Sequence, residues 1–278
     1  MKDGLLDLLQ GRLSLWGEKL DEVWQLITTP PQAFKGGEVW GVIVSINTAM
    51  QGVAYGLLIL FFAAGVLQQT TSFQELRRPE AVLKLFLRFA IAKGLVTYCM
   101  ELLLAVMELT QGILYRVISA GGGSLGMEYL TVPDEIAVAI DSVNFLQAFG
   151  VSFVVWVGGL VITVLAFILI MTVYGRFFKV YLFTTLAPIP LSTFSGEHLS
   201  QTGRQFLKNY AAACLEFAII AISCIIVSKL IGAPSVINAG DSPMAQVWGY
   251  LEEVLLNMLL LVGTIKMCDR LAQQIFGM

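Results

Sequence analysis

The chain has 278 residues, of which 57% are hydrophobic and 13% charged, and its mean hydropathy is +0.78. A soluble domain carries about 25% charged residues, so this balance excludes an ordinary soluble protein and gives an all-α polytopic membrane protein whose spans share one bundle. The net charge of −3 says little about nucleic acid, because the signs are sorted along the chain, and Cys99, Cys214, Cys224 and Cys268 show neither metal spacing nor a disulfide framework.

Residues 1–29 have no signal-peptide core, since Asp3 and Asp7 intrude. Leu5, Leu9, Leu13, Trp16, Leu20, Val23 and Ile27 recur at three-to-four-residue spacing, with Asp7, Arg12, Glu18, Lys19, Asp21 and Glu22 mostly elsewhere. This is an amphipathic helix ended by Pro30 and Pro31, suited either to the headgroup plane or to packing on a partner protein. Residues 1–36 are therefore expected to form an interfacial segment on the extracellular side, and residues 37–278 the transmembrane domain.

Val39 to Leu67 carries no charge and is long enough, at about 1.5 Å per residue, to cross a core of about 30 Å. Gly52 and Gly56 form a GxxxG pair on this first span, a pattern that lets another helix approach but is common in glycine-rich membrane helices. After a polar turn with Arg77 and Arg78, a second helix over about 81–118 would reach about 55 Å and must tilt or protrude. A glycine-rich, acidic loop fills about 119–144. Its triple glycine is a hinge and not a phosphate cradle, because no Lys-Ser/Thr step follows it. The third span covers about Phe149 to Tyr174, the fourth about Gln205 to Ile231 and the fifth about Val247 to Met267.

Between the third and fourth spans lies a stretch too polar and broken for a simple crossing. Arg176 and Lys179 open it, Pro188 and Pro190 interrupt it, and Gly196, Glu197 and His198 close it. Each proline removes a backbone donor and pushes the residue before it away from helical dihedrals, so the helix must stop or bend at 187–190. Either a short cytoplasmic linker or a re-entrant turn satisfies these residues; within a bilayer, broken backbone survives only where protein or a water-filled cavity covers it.

The run RFFKVYLFTTLAPIPLSTF, followed by SGEH, the step from Gly203 through Arg204 and Gln205 to Phe206, and Leu207 to Tyr210, resembles the TrbL-like family of conjugal transfer proteins. These are polytopic membrane subunits of type IV secretion systems, and the wording is nearest to the type carried by mobile elements of Gram-positive bacteria. The specific likeness spans about 170–225. It implies assembly with other conjugation subunits and a cytoplasmic ATPase, with DNA or protein as cargo, and it implies no active site and no cofactor.

Orientation follows from the positive-inside bias. Arg77, Arg78, Lys84, Arg88, Lys93, Arg176, Lys179, Arg204, Lys208, Lys266 and Arg270 are eleven of the chain's 17 basic residues and fall on one side. The acids between Glu128 and Asp141 fall on the other. The expected topology has the N-terminus outside and the C-terminus in the cytoplasm, with five spans in the bacterial cell membrane.

No metalloprotease, nucleophile-elbow or Walker motif occurs, and the single histidine, His198, has no neighbouring ligand set. An enzyme is not expected, and neither is a metal site or a cofactor. The intramembrane acids carry more information, since Glu101, Glu108 and Glu216 must face protein, water or each other. On a wheel of about 100° per residue, Thr97, Glu101, Ala105, Glu108 and Gly112 form one stripe, opposite Val96, Cys99, Leu103 and Leu114. The stripe suits the lumen wall of a homo-oligomer, or packing against a similar stripe on the fourth span that contains Glu216. Pro188, Pro190, Gly196, Glu197, His198 and Arg204 are the candidates for a cytoplasmic docking turn. The functions compatible with these features are a channel or scaffold subunit of a conjugation apparatus, a secondary transporter, which should show two broken segments in related halves, and a purely structural anchor for surface parts.

Overall fold

The computed structural model describes residues 2–70, 79–121, 132–142, 145–196, 199–230 and 242–277. Every regular element among them is helical: α1 (Lys2–Thr28), α2 (Glu38–Thr70), α3 (Pro79–Thr97), α4 (Cys99–Gly121), α5 (Asp134–Ser142), α6 (Phe145–Leu186), α7 (Pro188–Ser192), α8 (Ser200–Leu230) and α9 (Pro243–Ile275). The expected second helix is divided at Tyr98, yet its backbone ladder continues. The Tyr98 amide donates to the Gly94 carbonyl at 2.9 Å, and the Leu102 amide donates to the Tyr98 carbonyl at 3.1 Å.

Four stretches among the described residues are long and apolar enough to cross a membrane: Pro31–Leu67, Cys99–Gly121, Phe149–Leu186 and Ser200–Leu230. They match the first four expected spans. The fifth, on α9, falls short in composition, because its uncharged run between Glu253 and Lys266 is only about a dozen residues, roughly 18 Å. The third extends further than expected: α6 continues past Arg176 and Lys179 to Leu186.

The helices gather into two compact units. The first comprises Met1–Thr28, Leu114–Gly175 and Ala218–Arg270. Here α1 buries the apolar face legible in its sequence, with Leu9, Leu13, Trp16, Leu20, Val23 and Ile27 all covered. Gly159 admits α1 onto α6, for a Cβ there would lie 3.0 Å from Arg12 Cγ and 3.3 Å from Leu8 Cδ2. Arg12 donates to Thr163 Oγ1 at 3.3 Å, Lys19 pairs with Glu22 at 2.7 Å, and the Tyr174 hydroxyl donates to the same Glu22 at 3.2 Å. The acidic stretch that the sequence places in a loop contains α5, which packs on α1 and buries Ile136, Ala139 and Ile140. Helix α9 lies along α6 in the same direction, with Met244 at Gly150 and Leu251 at Gly158.

The second unit comprises Thr29–Ile113, Arg176–Phe217 and Leu271–Met278. An irregular turn, Pro31–Gly37, has positive φ at Lys35, Gly36 and Gly37 and swings Phe34 onto Phe177, ring centroids 4.9 Å apart. Helices α2 and α3 pack as an antiparallel pair through Phe62 with Phe86 and Phe89, and through the hydroxyls of Tyr55 and Thr97, 3.0 Å apart. Helix α7 and the turn after it, Thr193–Ser195, pack on α2 and α3.

Gly203 makes the tightest approach in this unit. A Cβ there would stand 2.5 Å from the Phe194 ring and 3.0 Å from the Pro190 carbonyl oxygen, so α8 can begin beside the turn only without a side chain. Nothing lies within 4 Å of the equivalent point at Gly52 or Gly56. Gly203→Val is expected to cost about 1–3 kcal/mol by overpacking, seen as a lowered midpoint of thermal unfolding in detergent. Gly52→Val should leave the stability of the solubilised monomer within about 0.5 kcal/mol of the parent.

Candidate functional site

The broken segment is a covered structure and not an exposed linker. Pro188, Leu191, Ser192, Thr193 and Ser195 are buried. The expectation that the residue before Pro188 leaves helical dihedrals does not hold: Ala187 keeps φ −52° and ψ −38°, and the Leu191 amide donates to its carbonyl at 3.2 Å. The interruption comes instead from the missing donor. In an unbroken helix the amide of residue 188 would pair with the Thr184 carbonyl, and proline has none to offer. Asn47, on α2, supplies it, with Nδ2 donating to that carbonyl at 2.7 Å from a side chain only 1% exposed.

The following turn is stitched in the same manner. Ser192 donates to the Ile189 carbonyl at 2.6 Å, Thr193 to the Pro190 carbonyl at 2.7 Å, and Ser195 to the Leu58 carbonyl of α2 at 3.3 Å. Pro190 is half-buried and Gly196 buried, so the prolines shape the turn from inside, and the exposed member of the expected docking set is Arg204, in the first turns of α8. Glu197 and His198 lie outside the described residues.

The second feature is an ionic cluster. Arg176, 6% exposed, contacts the Glu216 carboxylate, itself 1% exposed, and Lys179 Nζ approaches the other carboxylate oxygen at 3.7 Å. The next residue on each helix reinforces the pair, Phe177 meeting Phe217 edge-on with centroids 5.0 Å apart. Nearer the start of α8, the Tyr210 hydroxyl donates to the Leu103 carbonyl of α4 at 3.2 Å. Sequence reasoning marks Glu216 as interior but takes Arg176 as the end of a span. The signal that joins them is a pair of opposite charges in consecutive apolar helices, which local hydropathy does not register.

The third feature is the acidic face of α4 and the end of α3. Thr97, Glu101, Ala105, Glu108 and Gly112 are all exposed, whereas Val96, Cys99, Leu103 and Leu114 are buried. Gly94, on the same side as the stripe, and Val106 and Val117, on the other, are half-buried. The α4 stripe and the Glu216 stripe do not meet within the chain, because Glu216 pairs with Arg176 and α4 offers α8 its opposite side, at Leu103.

Removing one partner of a buried ion pair strands the other. Glu216→Ala is expected to cost about 3–5 kcal/mol in detergent unfolding, with most of the loss recovered in the double variant Arg176→Met/Glu216→Met. Asn47→Leu should cost about 1–3 kcal/mol by orphaning the Thr184 carbonyl, and Pro188→Ala in that background should restore part of it, since an alanine at this position brings back the missing amide. Additive effects in this double-mutant cycle would show that Asn47 acts elsewhere.

The chain matches the family model described as TrbL/VirB6 plasmid conjugal transfer like protein over residues 17–188. The match takes in the latter part of α1, all of α2 to α6 and the first residue of α7, and stops short of the Gly203 to Tyr210 wording. Comparison with curated proteins and with solved structures finds no match. With more than half of its length inside that model, the chain belongs to the TrbL/VirB6 plasmid conjugal transfer like family and is a membrane subunit of a conjugal transfer, or type IV secretion, apparatus.

Proposed function

We propose that this subunit forms part of the wall of the membrane passage through which DNA or protein cargo leaves the cell. The observation that carries the proposal is the exposed face of α4. Two carboxylates, Glu101 and Glu108, stand on one side of an apolar helix with none of the described residues covering them. Lipid would be a costly neighbour for either charge. A water-filled lumen built by several copies of the chain offers an inexpensive one, and repeats the stripe around its axis. Assembly with a cytoplasmic ATPase and other conjugation subunits belongs to the same reading, as do an extracellular N-terminus and a cytoplasmic tail. The parallel course of α6 and α9 fits a five-span chain in which both cross in the same direction, and the distribution of basic residues supplies the side. A structural anchor would leave the α4 face sealed against another subunit.

Cysteine accessibility separates the two. In a background lacking Cys99, Cys214, Cys224 and Cys268, all buried, cysteines at Glu101, Ala105 and Glu108 should react with small hydrophilic thiol reagents in the assembled apparatus. Leu109 and Ile113, exposed apolar residues flanking the stripe, should stay protected. Protection of all five positions would rule out the lumen and leave the anchor.

A further inference from the structure

We propose that the wall closes where the acidic face of α4 in one copy of the chain meets a basic face of α8 in the next. The first turns of α8 present Gln201, Arg204, Gln205 and Lys208, all exposed and recurring every three or four residues. Among the described residues no ion pair engages Arg204, Lys208, Glu101 or Glu108. The opposite charges belong to one unit but cannot meet within it. Helices α4 and α8 touch where the Tyr210 hydroxyl reaches the Leu103 carbonyl. On a helical wheel Glu101 lies about 160° from Leu103, while Arg204 and Lys208 lie about 120° and 160° from Tyr210. Each charged face therefore points away from the other helix. Two outward faces of opposite sign on one protomer suit a head-to-tail contact between copies, the kind that closes into a ring.

The heights agree as well. Helices α4 and α8 run in the same direction, with Tyr210 at Leu103 and Ile225 at Gly121. Both contacts put Lys208 within a turn of the level of Glu101, and Arg204 within a turn of Thr97. Copies inserted in one orientation are related by rotation about the membrane normal, so each keeps its height and Lys208 of one copy faces Glu101 of the next. Helix α2 of the same unit, by contrast, turns Val42, Val53, Ile59 and Leu60 outward, as suits lipid. Glu108 lies two turns beyond Glu101, where α8 offers no cation between Lys208 and Lys229. It is left to the lumen, while Glu101 marks the seam along the lumen's wet edge.

The inference rests on the reading of several copies as the wall of an aqueous passage, and charge exchange tests it separately. Glu101→Lys and Lys208→Glu should each lower the yield of detergent-extracted homo-oligomer at least about tenfold, because like charges then face each other across the seam. Both positions are exposed, so the thermal unfolding midpoint of the monomer should not move. The double variant Glu101→Lys/Lys208→Glu exchanges the partners and should recover the yield to within about threefold of the parent. In a chain without the four natural cysteines, Glu101→Cys/Lys208→Cys should give a ladder of oligomers with a short bismaleimide, and Val53→Cys/Lys208→Cys should give none. Single reversals that assemble like the parent would overturn the proposal. So would a double variant as defective as either single one, or a bismaleimide product no larger than the monomer. If Glu108→Cys still reacts with hydrophilic thiol reagents in the assembled apparatus, only this seam falls; if it too is silent, the passage reading fails with it.

Discussion

Placing Arg176 in contact with Glu216 is the condition on which the second half of the chain depends. Each side chain alone would be expensive to remove from water, and a pair recovers that cost only when its geometry is good and its remaining polar atoms are met. The chain reinforces the pair locally. Phe177 and Phe217 follow the two charges and lock the same helices together, Lys179 stands by the second carboxylate oxygen, and Tyr210 ties α8 to α4 through a backbone carbonyl. Polar interactions here choose register, while the apolar surface around them provides the bulk of the association.

The proline turn obeys the same constraint through the backbone. A broken helix in an apolar setting requires that every freed carbonyl find a donor. Asn47 answers for Thr184, and the hydroxyls of Ser192, Thr193 and Ser195 answer for carbonyls of the turn and of α2. Gly203 then lets α8 leave beside the turn. The segment that looks most irregular in sequence is consequently tied by side-chain hydrogen bonds to the carbonyls of Thr184, Ile189, Pro190 and Leu58.

Much of this architecture can be read from residues one turn apart. The spacing of Leu9, Leu13, Trp16 and Leu20 shows which side of α1 is buried, and the alternation of Glu101, Ala105 and Glu108 with Leu103 shows which side of α4 is not. What escapes is set by distant partners. Arg176 resembles a span boundary until Glu216, forty residues later, neutralises it, and so α6 is read as ending about three turns early. Ala187 is expected to leave the helix because steric rules before proline are local, whereas packing on α2 and α3 holds the segment in place. Helix α5 hides among acids and glycines, its three buried side chains being too few for a periodic signal. The headgroup plane suits the amphipathic pattern of α1, but amphipathicity reports that a helix has two sides and not what covers each.

The bond between Asn47 and the Thr184 carbonyl joins residues 137 positions apart, and this separation has a consequence for biogenesis. When α2 leaves the ribosome, its amide side chain enters an apolar environment with no partner, and the acceptor does not exist until α6 has been made. During that interval the Asn47 amide is best sheltered by the insertion machinery or by water at the edge of α2. Arrival of the proline break supplies the acceptor, so the bond that ties the first long apolar helix to the most apolar one can close only once the latter has been synthesised almost to its end.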